Sequence, residues 1–296
     1  MNLEPQNRIS VITPVYNGAK YIEACLQVVI AQNCSQIEHI IIDGNSQDCT
    51  VDIVQKYAEK YSHIRFISAP DQGQSDAMNK GVSLAKGNII AILNVDDYYE
   101  ANVLNRVLEL FTDLPKPSLL VGNCQVWDEK GKLKYINKPD KLCLTDLLKG
   151  FKINPHPVNP AAYFYHKCLH EEIGDYDLEE DYIMDLDFLF KAVQVAHVKY
   201  VDEIWGNYRV LEGTKSLNDY RGGESLKRRK KLENSYLKKL PYHQSIWIYL
   251  RRESYILLDS IADFIKLKVT YFSRHPQELV PSLQKKVKNA LRKFRK

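Results

Sequence analysis

Short apolar runs alternate with amphipathic stretches through the first hundred residues. Residues 9–13, 37–43, 64–68 and 89–93 are rich in Ile and Val and bounded by polar or turn residues, which predicts four strands. Between them, 20–31, 51–61 and 75–85 carry helical spacing, with Thr50 and Ser75 as expected N-caps and Gly87 as a stop signal. Strand–helix alternation with short links predicts a parallel sheet covered by helices on both faces. A helix over about 101–112 follows, then a strand at 119–127 and a turn at 128–131 leading into a strand at 133–136. From Leu142 the texture changes. A short helix ends near Gly150, and NPHPVNP at 154–160 makes a shaped loop, because three prolines in seven residues exclude a regular element. A strand at 161–165, a helix at 181–195 and two short strands at 198–201 and 205–210 complete this part, and Lys- and Arg-rich helical segments follow Gly223. The expected division is 1–223, with halves near 7–125 and 126–223, and a basic helical tail at 224–296.

Composition narrows the class. Of 296 residues, 45% are hydrophobic and 26% charged, which excludes a disordered chain, and 13 Gly with 12 Pro exclude a collagen-like or linker-type one. The formal charge of +4 conceals a split: 225–296 holds 19 Lys and Arg against 5 Asp and Glu, whereas 1–224 holds 22 against 32. An acidic body with a strongly basic tail points to an anionic partner. The six cysteines form no Cys-x-x-Cys pair, so neither a zinc site nor a redox motif is expected. MNLEPQNRIS lacks the basic start and apolar run of a signal peptide, and a reduced, cytoplasmic setting is the expectation. The most apolar stretch, 246–272, is interrupted by Arg251, Arg252, Glu253, Asp259, Asp263, Lys266 and Lys268. A chain with that pattern would lie on a membrane rather than cross it.

The candidate chemistry lies at the strand ends. Ligands of open α/β sheets sit outside the carboxyl edge. Four consecutive strands here run into polar loops at that edge: Pro14 to Gly18, Asp43 to Asp48, Ala69 to Ser75 and Asn94 to Asp97. Any one is an ordinary polar loop; four on one edge, three carrying Asp, are not. Adjacent carboxylates after a buried strand are costly unless they share a cation. Hard oxygen ligands on a short loop suit Mg²⁺ or Mn²⁺ held together with substrate phosphates. No P-loop or G-x-G-x-x-G fingerprint is present to support other phosphate chemistry.

The segments ISVITPVYNG, IIDGNSQDCT, DQGQSDAMNKG, LNVDDYY, IMDLDFLFKA and NYRVLEGTKS, in this order across about 7–216, resemble the family 2 glycosyltransferases of GT-A fold, in particular members that build bacterial surface polysaccharides. The resemblance implies a Rossmann-like α/β fold with a mostly parallel sheet. It also implies inverting transfer of a sugar from a nucleotide-diphosphate donor, such as a UDP-linked one, to an acceptor hydroxyl. By position, Pro14, Tyr16, Asn17 and Asp43 should line the nucleoside pocket, and Asp71, Asp76 and Asn79 the ribose or donor sugar. Asp96 matches the metal-binding Asp of the D-x-D-type motif, with Asp97 beside it, and Asp185 matches the general base. Three positions depart from the common pattern. Asn94 replaces the first D-x-D acid, Met184 the acid before the base, and Leu211 a His that often follows the Asn-Tyr-Arg segment, while Arg209 remains as a diphosphate contact.

On the helix beyond Asp185, Asp187 points about 200° away and cannot share the role of base. Its expected role is to complement the helix dipole. His156 could equally be a ligand contact or a structural histidine, and Trp127 and Trp205 are most simply core or cleft-wall residues. In the tail, Leu283, Val287, Leu291 and Phe294 form an apolar stripe among basic residues, and 227–231 is basic at every position. Both patterns suit an anionic membrane surface. The expected partners are therefore a nucleotide-sugar, a lipid-linked or polysaccharide acceptor and the inner face of the cell membrane. No nucleic acid is expected, because no recognition motif is present. A nucleotide-sugar-binding scaffold of weak activity is the alternative, supported by Asn94 and Leu211.

Overall fold

The computed structural model describes residues 7–180, 182–214, 217–218 and 222–274. The apolar stripe expected at Leu283 to Phe294 lies outside the described residues. Strands β1 (Ile9–Val15), β2 (Ile37–Asp43), β3 (Ile64–Ser68) and β4 (Ile89–Ile92) alternate with helices α1 (Ile22–Ile30), α2 (Thr50–Lys60) and α3 (Gln74–Leu84). Every residue of β1, β2 and β4 is buried. Strands covered on both faces must be apolar nearly throughout, which explains ISVITPV and IIAI. The polar exceptions pair with one another: Ser10 donates to Glu38 at 2.7 Å, and Thr13 meets the His39 Nε2 at 2.9 Å.

The second half adds β5 (Tyr98–Tyr99), α4 (Val103–Phe111), β6 (Ser118–Trp127), β7 (Leu133–Asn137), α5 (Leu144–Leu147), β8 (Tyr163–His166), α6 (Leu169–Ile173), α7 (Met184–Val195) and β9 (His197–Arg209). The sheet order is β3-β2-β1-β4-β8-β6-β9-β5, with β7 on β6. Neighbours in the first four are parallel, β8 and β5 run antiparallel to theirs, and β9 is parallel to β6. The mostly parallel expectation is thus met in the first half and modified in the second.

Residues of α1 and α4 pack with Ile9, Val11 and Leu120 in one core cluster. On the other face α3 presses on β1 so closely that a Cβ on Gly81 would lie 2.3 Å from the Ile12 side chain. The two short strands expected near 198–210 are one continuous strand, β9. Its charged middle is paired outward, Asp202 with Lys138 and Glu203 with Arg106.

Helices α8 (Glu224–Leu237) and α9 (Tyr242–Arg274) follow. The compact units divide after Leu240, so α8 lies in the first of them. Tyr236 donates to Asp187 at 2.7 Å and packs edge-on against Phe190. The basic run at 227–231 is consequently divided. Arg228 lies 4.5 Å over the Tyr182 ring and Arg229 bonds His156, while Lys230 and Lys231 are exposed.

Candidate active site

The strand order reverses between β1 and β4, and the loops leaving their carboxyl ends face one another across a crevice, the place where open α/β sheets take ligands. A cleft of about 500 Å³ opens there, lined by Pro14, Tyr16, Asn17, Tyr21, Asp71, Gly73, Gln74, Asn94, Asp96, Asp97, Tyr208 and Thr214 among others. The loops that build it are bonded to one another. Asn17, at φ 50°, receives the Gln47 amide on its side chain at 2.8 Å and gives its own amide to Ser46 at 2.7 Å. Gly18 donates to Thr50 at 2.9 Å and Ala19 to Asp48 at 3.0 Å. Thr50 therefore spends its hydroxyl on this seam and caps no helix. Tyr16 stands 63% exposed at the rim, a ring free to stack on a planar ligand.

Asp43 is buried and accepts from the Ser46 amide at 3.0 Å and the Ser68 hydroxyl at 2.6 Å. It organises its loop and is not among the residues lining the cleft. Asp71 does line it: its carboxylate accepts from the Gly73 amide and lies so close to Gly44 that a Cβ there would come within 2.7 Å of Oδ2. Asp76 takes the Gln72 amide at 3.0 Å and Lys80 at 2.9 Å, which together hold its carboxyl below the usual range. Asn79 uses both ends of its amide on the Tyr176 backbone, at 2.8 and 2.9 Å, and ties α3 to the segment before α7.

The densest part is 94–97. Asn94 accepts from Gln74 and donates to Asp97, both at 3.0 Å. Asp97, fully buried, also receives Asn159 Nδ2 at 2.6 Å and the Arg209 amide at 3.2 Å. Burial, and then the neighbouring Asp96 charge, pushes the Asp97 carboxyl up to about 8. Asp96, half-buried in the cleft, is also raised by burial, and the Arg209 charge opposes the rise. The Arg209 guanidinium lies 5.5 Å over the Tyr21 ring and 5.9 Å over Tyr98, with Nε donating to the Asp96 carbonyl. Two adjacent carboxyls held up by burial are a donor set that a divalent cation would relieve. Among the described residues no group of three or more His, Cys, Asp or Glu could hold a metal alone. The set fits Mg²⁺ or Mn²⁺ shared with substrate phosphates and does not fit an all-protein cage.

Asp185 sits in the first turn of α7, half-buried, apart from the residues lining the cleft. Below it Phe188 packs on Tyr163, Tyr165 and Tyr176, whose phenols are pushed up by burial foremost and by the Asp185 charge among the lesser causes. Asp187 on the same helix is taken by Tyr236 and by Lys191 at 2.7 Å. His156 is structural. Arg229 donates to its Nε2 at 2.7 Å, so Nδ1 carries the proton and donates to the Pro157 carbonyl, and burial lowers its pKa to about 3. Trp127 bonds Asn207 at 2.8 Å, and Trp205 is core. Sequence reasoning missed Tyr21, Gln74, Asn159 and Thr214. Gln74, Asn159 and Thr214 lie inside segments already singled out, whereas Tyr21 carries no local signal.

The model of Glycosyl transferase family 2 matches residues 10–169, more than half of the chain. The chain belongs to this family. A family 2 relative, the PGL/p-HBAD biosynthesis glycosyltransferase of Mycobacterium bovis, is 33% identical over 181 residues, 60% of this chain and 67% of its own length. An uncharacterized glycosyltransferase of Rickettsia felis is 27% identical over 277 residues, 89% of this chain. The chain spans only 43% of that relative's length. TarS of S. aureus shares the fold at TM-score 0.60 and 19% identity, over 83% of this chain and 70% of that one. The mannosyltransferase PcManGT of Pyrobaculum calidifontis, solved with GDP-Man and Mn²⁺, shares it at 0.57 and 15%, over 87% and 76%. These neighbours identify the fold as GT-A.

Proposed function

We propose that this family 2 protein is an inverting glycosyltransferase that moves a sugar from a nucleotide-diphosphate donor to a hydroxyl of a lipid-linked or polysaccharide acceptor in surface-polysaccharide biosynthesis. The observation that carries the reading is the convergence of Tyr16, Asp71, Asn94 and Asp96, from three strand ends, on one cleft at the β1/β4 switch point. In this reading Pro14, Tyr16 and Asp71 receive the nucleoside and ribose. Asp43, Asn17, Asp76 and Asn79 act through the loops they hold. Asp96, steadied by Asp97 and Arg209, faces the diphosphate. A divalent cation bound there would neutralise charge on the departing nucleoside diphosphate.

Asp185 takes the proton from the acceptor hydroxyl as that oxygen bonds to the anomeric carbon. The bond to the diphosphate breaks on the opposite face, so one displacement inverts the configuration. Met184, buried beside Asp185, places no second carboxylate against it. A lipid-linked acceptor places the reaction at the inner face of the cell membrane, with the basic carboxyl-terminal segment toward the lipid.

Calorimetric titration with UDP- and GDP-sugars, with and without Mn²⁺, tests the donor assignment. Asp96→Ala should abolish the metal-dependent part of binding. Asp185→Ala should bind donor normally and transfer about 10²- to 10⁴-fold more slowly. Wild-type protein that binds no nucleotide-sugar, or an Asp185→Ala protein of full activity, would overturn the reading.

A further inference from the structure

Helix α9 carries its apolar residues on the outside. Trp247, Leu250, Leu258, Ile261, Ile265 and Val269 are each 46–63% exposed. At 3.6 residues per turn they fall within an arc of about 100°. With Ser254 as the one polar member, the steps along this stripe run three, four, four, three, four, four. That is an eleven-residue repeat of about 3.67 residues per turn, so the stripe runs nearly straight for about 33 Å. Exposed Leu257 widens it on one side, while Arg252, Asp259, Lys266 and Thr270 lie toward the far side, where exposed Tyr249 and Ile256 also fall.

We infer that this face of α9 lies flat on an anionic lipid surface. A second copy of the helix is the poorer occupant. The common left-handed coiled coil takes a 3.5-residue repeat and a narrow a/d seam. This stripe follows an eleven-residue repeat and, with Leu257, is broader than such a seam. No described helix is long and apolar enough to cross a membrane, so the helix would lie in the interface plane. The charge distribution favours lipid. Residues 225–240 hold seven Lys and Arg against one acid, and 275–296 again seven against one. The helix between them, 242–274, holds five against three. An apolar stripe flanked in sequence by a basic segment on each side is the pattern that anionic headgroups attract. Exposed Lys230 and Lys231 on α8 contribute to the first of those segments, whereas Arg228 and Arg229 are engaged by the body and do not. This placement rests on the lipid-linked acceptor reading for its purpose; its test does not.

Full-length protein is mixed with vesicles of phosphatidylcholine alone and with vesicles that also contain phosphatidylglycerol. Co-sedimentation with the anionic vesicles is expected, weakening as salt is raised. Trp247 emission should shift to the blue, a shift missing from Trp247→Phe. The double variant Leu258→Glu/Ile265→Glu should partition about tenfold more weakly or worse, with unchanged circular dichroism and unchanged donor hydrolysis in lipid-free solution. A double variant that partitions as tightly as wild type overturns the inference. So does a lipid-free wild-type oligomer that the double variant dissolves while neither protein binds vesicles. Donor hydrolysis is read in the same samples: its absence counts against the transferase reading and leaves the vesicle result standing.

Discussion

Asp97, at the floor of the cleft, spends its carboxylate on the loop around it. Its carboxylate is enclosed by Asn94, Asn159 and the Arg209 amide, so it fixes the loop on which Asp96 stands. Removing a donor from a buried carboxylate leaves desolvation uncompensated. Asn159→Ala should therefore lower stability by about 1–3 kcal/mol in urea unfolding. It should also weaken Mn²⁺-dependent donor binding by about 10- to 100-fold, the usual effect of losing a residue that orients a ligating carboxylate. Unchanged metal dependence would show that Asp97 does not position Asp96. Asp185 and Asp187 make the complementary point. Two acids in one helical turn differ because Asp187 has Tyr236 and Lys191 as partners. Asp187→Asn should spare donor affinity and turnover while lowering the melting temperature.

Among the elements, β6 and β9 depend on close approach. The ladder between them shifts register around Gly122, and the Trp205 indole lies where a Cβ on Gly122 would come within 2.4 Å. Gly122→Ala should cost about 1–3 kcal/mol, read as a lower urea midpoint at constant slope. The strand boundaries of β2 and β3 were legible to the residue, because Ile-rich runs there end at polar turn residues. Strand β9 was not. Asp202 and Glu203 in its middle resemble a break, and their partners Lys138 and Arg106 lie far away in sequence. The partners of helix α8 were hidden for the same reason. A run of five basic residues gives no sign that two of them find an aromatic ring and a histidine on the body.

At the scale of the whole molecule, stability should depend on pH through buried histidines. Burial lowers His39 and His156 to about 3 and His166 to about 4. The unfolded chain takes up these protons below about 6.5 and the folded chain does not. The histidine contribution is therefore full above that value and falls progressively toward pH 4, by on the order of 1 kcal/mol per pH unit for each histidine. Asp97, raised to about 8, offsets part of the loss, because the folded chain holds its proton where the unfolded chain does not. Glu38 extends the loss to lower pH. Burial raises its carboxyl, but Ser10, the Lys86 amide and Arg65 outweigh that and hold it below its ordinary value, so its contribution is lost as pH falls further. Urea midpoints at pH 7 and pH 5 would check this; equal midpoints would mean that these histidines are not held neutral.

The local pattern of the chain determined the alternation of strands and helices, the sheet edge at which ligands would gather, and the family motifs at Asp71, Asp96 and Asp185. Periodicity and turn chemistry act over a few residues, and those features need no more. Only the tertiary structure decided which polar residues face the cleft and which support it. Asp43, Asn79, His156 and two of the five clustered basic residues pair with groups distant in sequence, and a side chain's partner across the fold is not encoded in its neighbours. The same holds for the exposed stripe of α9: spacing alone makes it amphipathic, and its exposure in the fold makes it a surface.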